Sequence, residues 1–198
     1  SFPLHTLYLC FFLFSSNLYA KEPWFLREVF NTHSVKPNAA YYVNDAGLFE
    51  CGLDSVVLCS DEVSYYTTRL FMELHIENER VDKVVMALDF SAISYSQIQL
   101  NLRKDGFQLE EITIEGERFS VREALLNYDH KSLVGATAKI VPNGAALSQI
   151  DKELVEFINS RPSNARSMSV WRVANETSPV VMLEKDSEEI RLSLDRSN

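Results

Sequence analysis

Between positions 68 and 77 the chain alternates without a break. Leu70, Met72, Leu74 and Ile76 are separated from one another by Phe71, Glu73 and His75, with Arg69 and Glu77 at the two ends. A period of two is the signature of a strand with one buried face. Val84, Met86, Leu88 and Phe90 repeat the pattern, and the polar run Glu77-Asn78-Glu79-Arg80 lies between the two. Residues 68 to 77 and 81 to 91 are therefore predicted to form a long antiparallel hairpin. Upstream, residues 41 to 43 and 48 to 51 flank Asn44-Asp45-Ala46-Gly47, whose leading Asn and closing Gly suit a type I turn. Residues 48 to 52 are in turn expected to pair with residues 56 to 60 around a turn near Asp54-Ser55.

The period then changes to that of helices. Ser94-Tyr95-Ser96-Gln97 reads as a capping box with Ile93 and Ile98 as its hydrophobic staple. The helix it opens presents Tyr95, Ile98 and Leu102 on one side and should stop at Asp105-Gly106, where glycine takes the left-handed conformation. Residues 107 to 114 and 117 to 119 flank Gly116 as another hairpin, and Ser120-Val121-Arg122-Glu123 is a second capping box opening a short helix. Residues 132 to 141 are apolar and small, with no decisive period. Leu147, Ile150, Leu154, Phe157 and Ile158 recur at helical spacing until Pro162 forbids continuation. Residues 168 to 173, 180 to 184 and 190 to 194 close the chain as a three-stranded meander. Hairpins, helices and a meander without βαβ regularity predict an α+β fold: antiparallel sheet built from hairpins with several short helices.

The beginning of the chain follows neither period. An uncharged apolar block over residues 7 to 14 precedes Ser15, Ser16 and Asn17 and then Leu18-Tyr19-Ala20, the order of a signal-peptide core and its cleavage site. The block is far shorter than the about 20 apolar residues that a spanning helix needs. Residues 1 to 20 are thus expected to be a cleaved signal that removes Cys10. Residues 21 to 198 are expected to form one domain, with a short helix around Trp24, Phe25, Leu26, Val29 and Phe30 and a point of subdivision near residues 130 to 145. The destination is periplasmic or secreted, with no stable membrane insertion after cleavage.

That reading gives the two other cysteines a meaning. In an oxidising compartment thiols pair, and Cys51 and Cys59 would face each other across the 48–52 and 56–60 strands, close enough for a disulfide. A zinc site needs more ligands than this pair supplies, and the spacing is wider than the Cys-x-x-Cys of reactive dithiols.

Charge narrows the partners. The chain has 19 Lys and Arg against 28 Asp and Glu, a net charge of −9, and none of these residues lies in the first twenty positions. Acidity of this size disfavours nucleic acid, whose phosphates call for a basic stripe, and anionic lipid. It suits a basic protein partner.

Candidate chemistry is sparse. There is no Gly-x-Ser-x-Gly elbow, no phosphate-binding glycine loop and no His-Glu-x-x-His. His75 shares a predicted strand face with Glu73 and Glu77, an exposed ion-pair arrangement. Asp129-His130 offers a carboxylate that can orient an imidazole as a general base, but a helix C-terminus also favours His130-Lys131 through its dipole. The carboxylate pairs Glu110-Glu111, Glu115 with Glu117, and Glu188-Glu189 have the composition of glycosidic acid and base and the positions of solvated strand edges. Tyr41, Tyr42, Tyr65 and Tyr66 form an aromatic group suited to a carbohydrate or protein contact. Asn175-Glu176-Thr177 is a glycosylation sequon.

Export, acidity, a local disulfide and missing catalytic spacing together predict a small binding protein of the inhibitor, immunity or envelope-assembly accessory kind, acting by protein–protein recognition. Asp54, Asp61 and Glu62, around the disulfide-tethered hairpin, form its expected acidic contact patch. No catalytic residue, metal or cofactor is assigned. The alternatives are a small envelope hydrolase using Asp129 and His130 or a carboxylate pair, and a structural component of a larger assembly.

Overall fold

Tight turns shape the first half of the sheet. In the computed structural model, which describes residues 47–53, 56–132, 144–174 and 180–195, β1 (Leu48–Glu50) pairs antiparallel with β2 (Val56–Tyr65). β2 runs through Ser64 and Tyr65 to a two-residue turn and returns as β3 (Thr68–Glu77), which turns again into β4 (Arg80–Asp89). The second reversal is tighter than the four polar residues predicted. It consists of Asn78 and Glu79 at φ 50° and 62°, the doubly left-handed geometry whose twist matches that of the flanking strands.

The α1 helix (Ala92–Lys104) follows, and its start corrects the sequence reading. Ser91, three residues before the expected cap, has extended backbone and accepts from the Ser94 amide at 3.0 Å, while Ile93 is 83% exposed and staples nothing. Both serines suit a cap; Ser91 prevails because the helix then begins as soon as β4 ends and still directs Ile98 and Leu102 into the core. The end is as predicted, with Asp105 at the C-cap and Gly106 at φ 87°.

The remaining elements are β5 (Phe107–Ile114), β6 (Glu117–Ser120), α2 (Val121–Ser132), α3 (Gly144–Asn159), β7 (Ser167–Val173), β8 (Val180–Lys185) and β9 (Glu189–Asp195). Ser120 caps α2 by accepting from the Glu123 amide at 3.2 Å, but the Glu123 carboxylate turns to Arg118 instead of completing the box. On α3, Ile150 is buried and Leu154 and Phe157 are partly buried, whereas Leu147 and Ile158, predicted to share the packing face, are exposed. Residues 1–46, and with them the expected signal, the helix near Trp24 and the 41–43 strand, lie outside the described residues, as do the 133–141 stretch and the sequon.

The nine strands among the described residues form one open antiparallel sheet in the order β1-β2-β3-β4-β9-β8-β7-β5-β6. Strand dominates and the three helices among the described residues are subordinate to it. The predicted meander of β7, β8 and β9 is present, and it fills the centre of the sheet, with β9 against β4 and β7 against β5. Leu74, Val84, Leu194, Val181 and Trp171 therefore stand side by side across five strands, each 1% exposed or less. Met72, Met86, Leu192 and Leu183 form the next row, and α1 closes it with Ile98 and Leu102. Apolar burial on this scale is the main force holding a domain together.

Candidate functional site

The sheet face away from α1 carries an aromatic and acidic surface at the β1 end. Phe49 pairs with Cys59, Cys59 with Glu73, and Phe71 lies two residues from Glu73, so all four side chains share one face. Cys51 reaches Cys59 on that face in a disulfide with Cα atoms 5.9 Å apart, and its amide donates to the Val57 carbonyl at 3.0 Å. Phe49 is 51% exposed and Phe71 56%. The two exposed aromatics thus stand on the face where the period of two leaves room for polar residues, beside the covalent tether.

Between Ser60, which pairs with Met72, and Val63, which pairs with Leu70, two residues of β2 oppose the single residue Phe71. These are Asp61 and Glu62, and the irregularity is a β-bulge, a device that re-aims side chains. Both are exposed, and Glu62 accepts from Arg69 at 3.3 Å. The structure thus brings two of the three predicted patch residues to an exposed phenylalanine; Asp54 lies outside the described residues. Sequence reasoning placed Phe71 among the outward positions of its strand without asking why an aromatic stood there. That out-of-phase Phe was the available signal.

Most of the paired carboxylates have cationic or backbone partners. Glu110 pairs with Arg172 at 2.9 Å and Glu111 with Arg118 at 2.6 Å, a contact that raises the Arg118 pKa above the ordinary arginine value. Glu115 accepts from the Arg166 amide at 2.7 Å, Glu117 binds Arg161, and Glu189 meets Arg191 at 3.1 Å. Asp129 and His130 belong to α2, but their side chains lie outside the described residues. His75 meets Glu73 at 3.2 Å, as its shared strand face with Glu73 predicts.

The aromatic group divides. Tyr41 and Tyr42 are outside the described residues, and Tyr65 is 2% exposed, which removes it from any contact surface. Its hydroxyl donates to Asp105 at 2.7 Å, and Tyr66 donates to the other oxygen of the same carboxylate. Behind them Asn101, fully buried on α1, donates to the Tyr65 carbonyl at 3.0 Å and accepts from Gln97 at 2.9 Å. These bonds fasten the β2–β3 turn to α1. No group of three or more His, Cys, Asp or Glu capable of holding a metal occurs among the described residues, and none of their helices is long and apolar enough to cross a membrane. No family model matches the chain, and neither a curated protein nor a solved structure does.

Proposed function

We propose that this is an exported binding protein that recognises a basic protein partner through the β1–β3 sheet face. The observation that carries the reading is the pair of half-exposed phenylalanines, Phe49 and Phe71, set beside the disulfide and against the Asp61–Glu62 bulge. Aromatic anchors supply most of the affinity of an interface when a partner covers them. Acidic residues at their rim steer a basic surface and speed association more than they tighten it. The net charge of −9 supplies a long-range field of the same sign. The tether lowers the ordering cost of presenting β1, so the same contacts bind more tightly. The disulfide and the signal-like leader both suit export, and the ion-paired carboxylates favour recognition over hydrolysis.

The test is site-specific photocrosslinking in the cells that make the protein. A benzophenone side chain at position 49 or 71 is expected to trap one and the same protein of basic isoelectric point. The same group at Leu147, exposed on α3, is expected to trap nothing, and Asp61→Asn with Glu62→Gln is expected to weaken the adduct most at low salt, where the screening length is longest. Adducts of equal strength at Leu147, or none at either phenylalanine, would refute the assignment.

A further inference from the structure

On the opposite side of the sheet, a pocket of about 260 Å³ opens between α1, the end of α3 and strands β5, β7 and β8. Its walls are mostly apolar, formed by Phe90, Ile112, Ile114, Ile158 and Pro162 among others, and the one cation among its described lining residues is Lys185. We propose that this pocket binds a small apolar molecule carrying a single carboxylate, with the head on Lys185 and the body against the apolar walls.

The argument starts from the lysine. Its Nζ donates to the carbonyls of Ser163 at 2.9 Å and Ala165 at 2.5 Å and lies 5.4 and 5.5 Å from the ring centres of Phe90 and Tyr95. An ammonium has three N–H groups, and among the described residues the third has no acceptor and no carboxylate lies within ion-pair distance. Carbonyls and ring faces carry no net charge, and Lys185 is half-buried, so among the described residues its ammonium has no direct ion-pair partner and is free to take an anion at the mouth of the pocket. Burial holds the Lys185 pKa below the ordinary lysine range, against the opposite, longer-range pull of Glu115 and Asp186.

Two hydroxyls extend the polar end of the pocket. Ser167 is the cross-strand neighbour of Lys185, and the Tyr95 hydroxyl lies 3.5 Å from the Ser167 hydroxyl. Burial pushes the Tyr95 pKa up, so this phenol stays protonated and able to donate. One ammonium and two hydroxyls at one end of an apolar cavity match a carboxylate with a hydrocarbon tail, following the general build of ligand sites in which a few polar groups orient an apolar body. At about 30 Å³ per water-sized unit, the volume admits a chain of about six to eight carbons. The site lies on the helical side of the sheet and is independent of the Phe49 and Phe71 surface.

Calorimetric titration of the whole protein with octanoate, 1-octanol and octyltrimethylammonium tests the proposal without any substitution. Octanoate is expected to bind at least tenfold more tightly than the alcohol, the range of one charge-assisted hydrogen bond, and the cationic probe not to bind. Lys185→Met keeps an apolar stem and removes the charge. It should erase the preference for octanoate over octanol while leaving the alcohol's affinity unchanged. Equal binding of octanoate and octanol to the wild-type protein, or no octanoate binding at millimolar concentration, overturns the proposal whether or not the variant folds. So does a folded Lys185→Met protein that still prefers the acid.

Discussion

The disulfide between Cys51 and Cys59 closes a loop with a sequence separation of 8, and its removal by Cys51→Ala with Cys59→Ala has a calculable consequence. In the chain-entropy model a loop of this size is worth about 2.5 kcal/mol. What else holds β1 is slight. It is three residues long and among the described residues pairs only with β2, Phe49 and Glu50 are exposed, and of its residues Leu48 packs on the core, partly buried. Full burial of a Leu would supply about 1.5–3 kcal/mol, and partial burial less, so the tether is comparable to the apolar contact that retains the strand. The loss should appear as local opening. Hydrogen exchange at the amides of residues 48 to 51, where the position 51 amide bonds to Val57, is expected to accelerate about 60-fold at about 1.4 kcal/mol per decade. Amides of β3, β4 and β9 that exchange through global unfolding should accelerate by no more than the same factor, because the lost constraint acts on the unfolded chain as well. Exchange at β1 within threefold of wild type would show that the tether does not hold the strand and would remove the preorganisation argument for Phe49.

Asn101→Asp places a carboxylate against the Tyr65 carbonyl in a fully buried position and should cost about 3 kcal/mol at neutral pH. The loss should shrink as pH falls and the buried carboxyl, its pKa raised by desolvation, becomes neutral; a pH-independent loss in urea denaturation would contradict this. Asp186 accepts from the amides of Glu188 at 2.8 Å and Glu189 at 2.9 Å, and these bonds lower its pKa below 3.8. Its folded pKa is depressed, so its contribution is complete above the unfolded value and is lost as pH falls through the folded one. Asp186→Ala should therefore melt below wild type at pH 7 and converge with it on acidification below about pH 3.8; a constant difference in melting temperature would exclude the carboxylate as its cause. Gly106→Ala meets no atom within 4 Å but must hold φ 87°, so it should cost about 1–2 kcal/mol from backbone strain alone, read as a shift in denaturation midpoint at unchanged slope.

Local pattern alone was enough to place most elements. The unbroken alternation of residues 68 to 77 announced a strand with Leu70, Met72 and Leu74 inside, and Asp105-Gly106 announced the end of α1, because such features depend on residues close together in the chain. The disulfide was legible for the same reason, its partners lying on adjacent strands of one short hairpin. The extension of β2 to Tyr65 was hidden by Asp61 and Glu62, which break the alternation and prove to be a bulge. Which of two serines caps α1 was decided where β4 ends, not by the capping motif. The order of the sheet lay further from reach. A period of two states which face of a strand is buried but not which strand stands beside it, since every strand edge offers the same N–H and C=O groups. The chain's last three strands take the centre, between β4 and β5, because only there do Val181, Leu183, Leu192 and Leu194 continue the apolar rows begun by β3 and β4 under α1. That choice also sets Lys185 next to Ser167, across from Tyr95. The Phe49 and Phe71 surface belongs to consecutive hairpin strands, whereas the Lys185 pocket joins residues far apart in the chain that only the packed sheet makes neighbours.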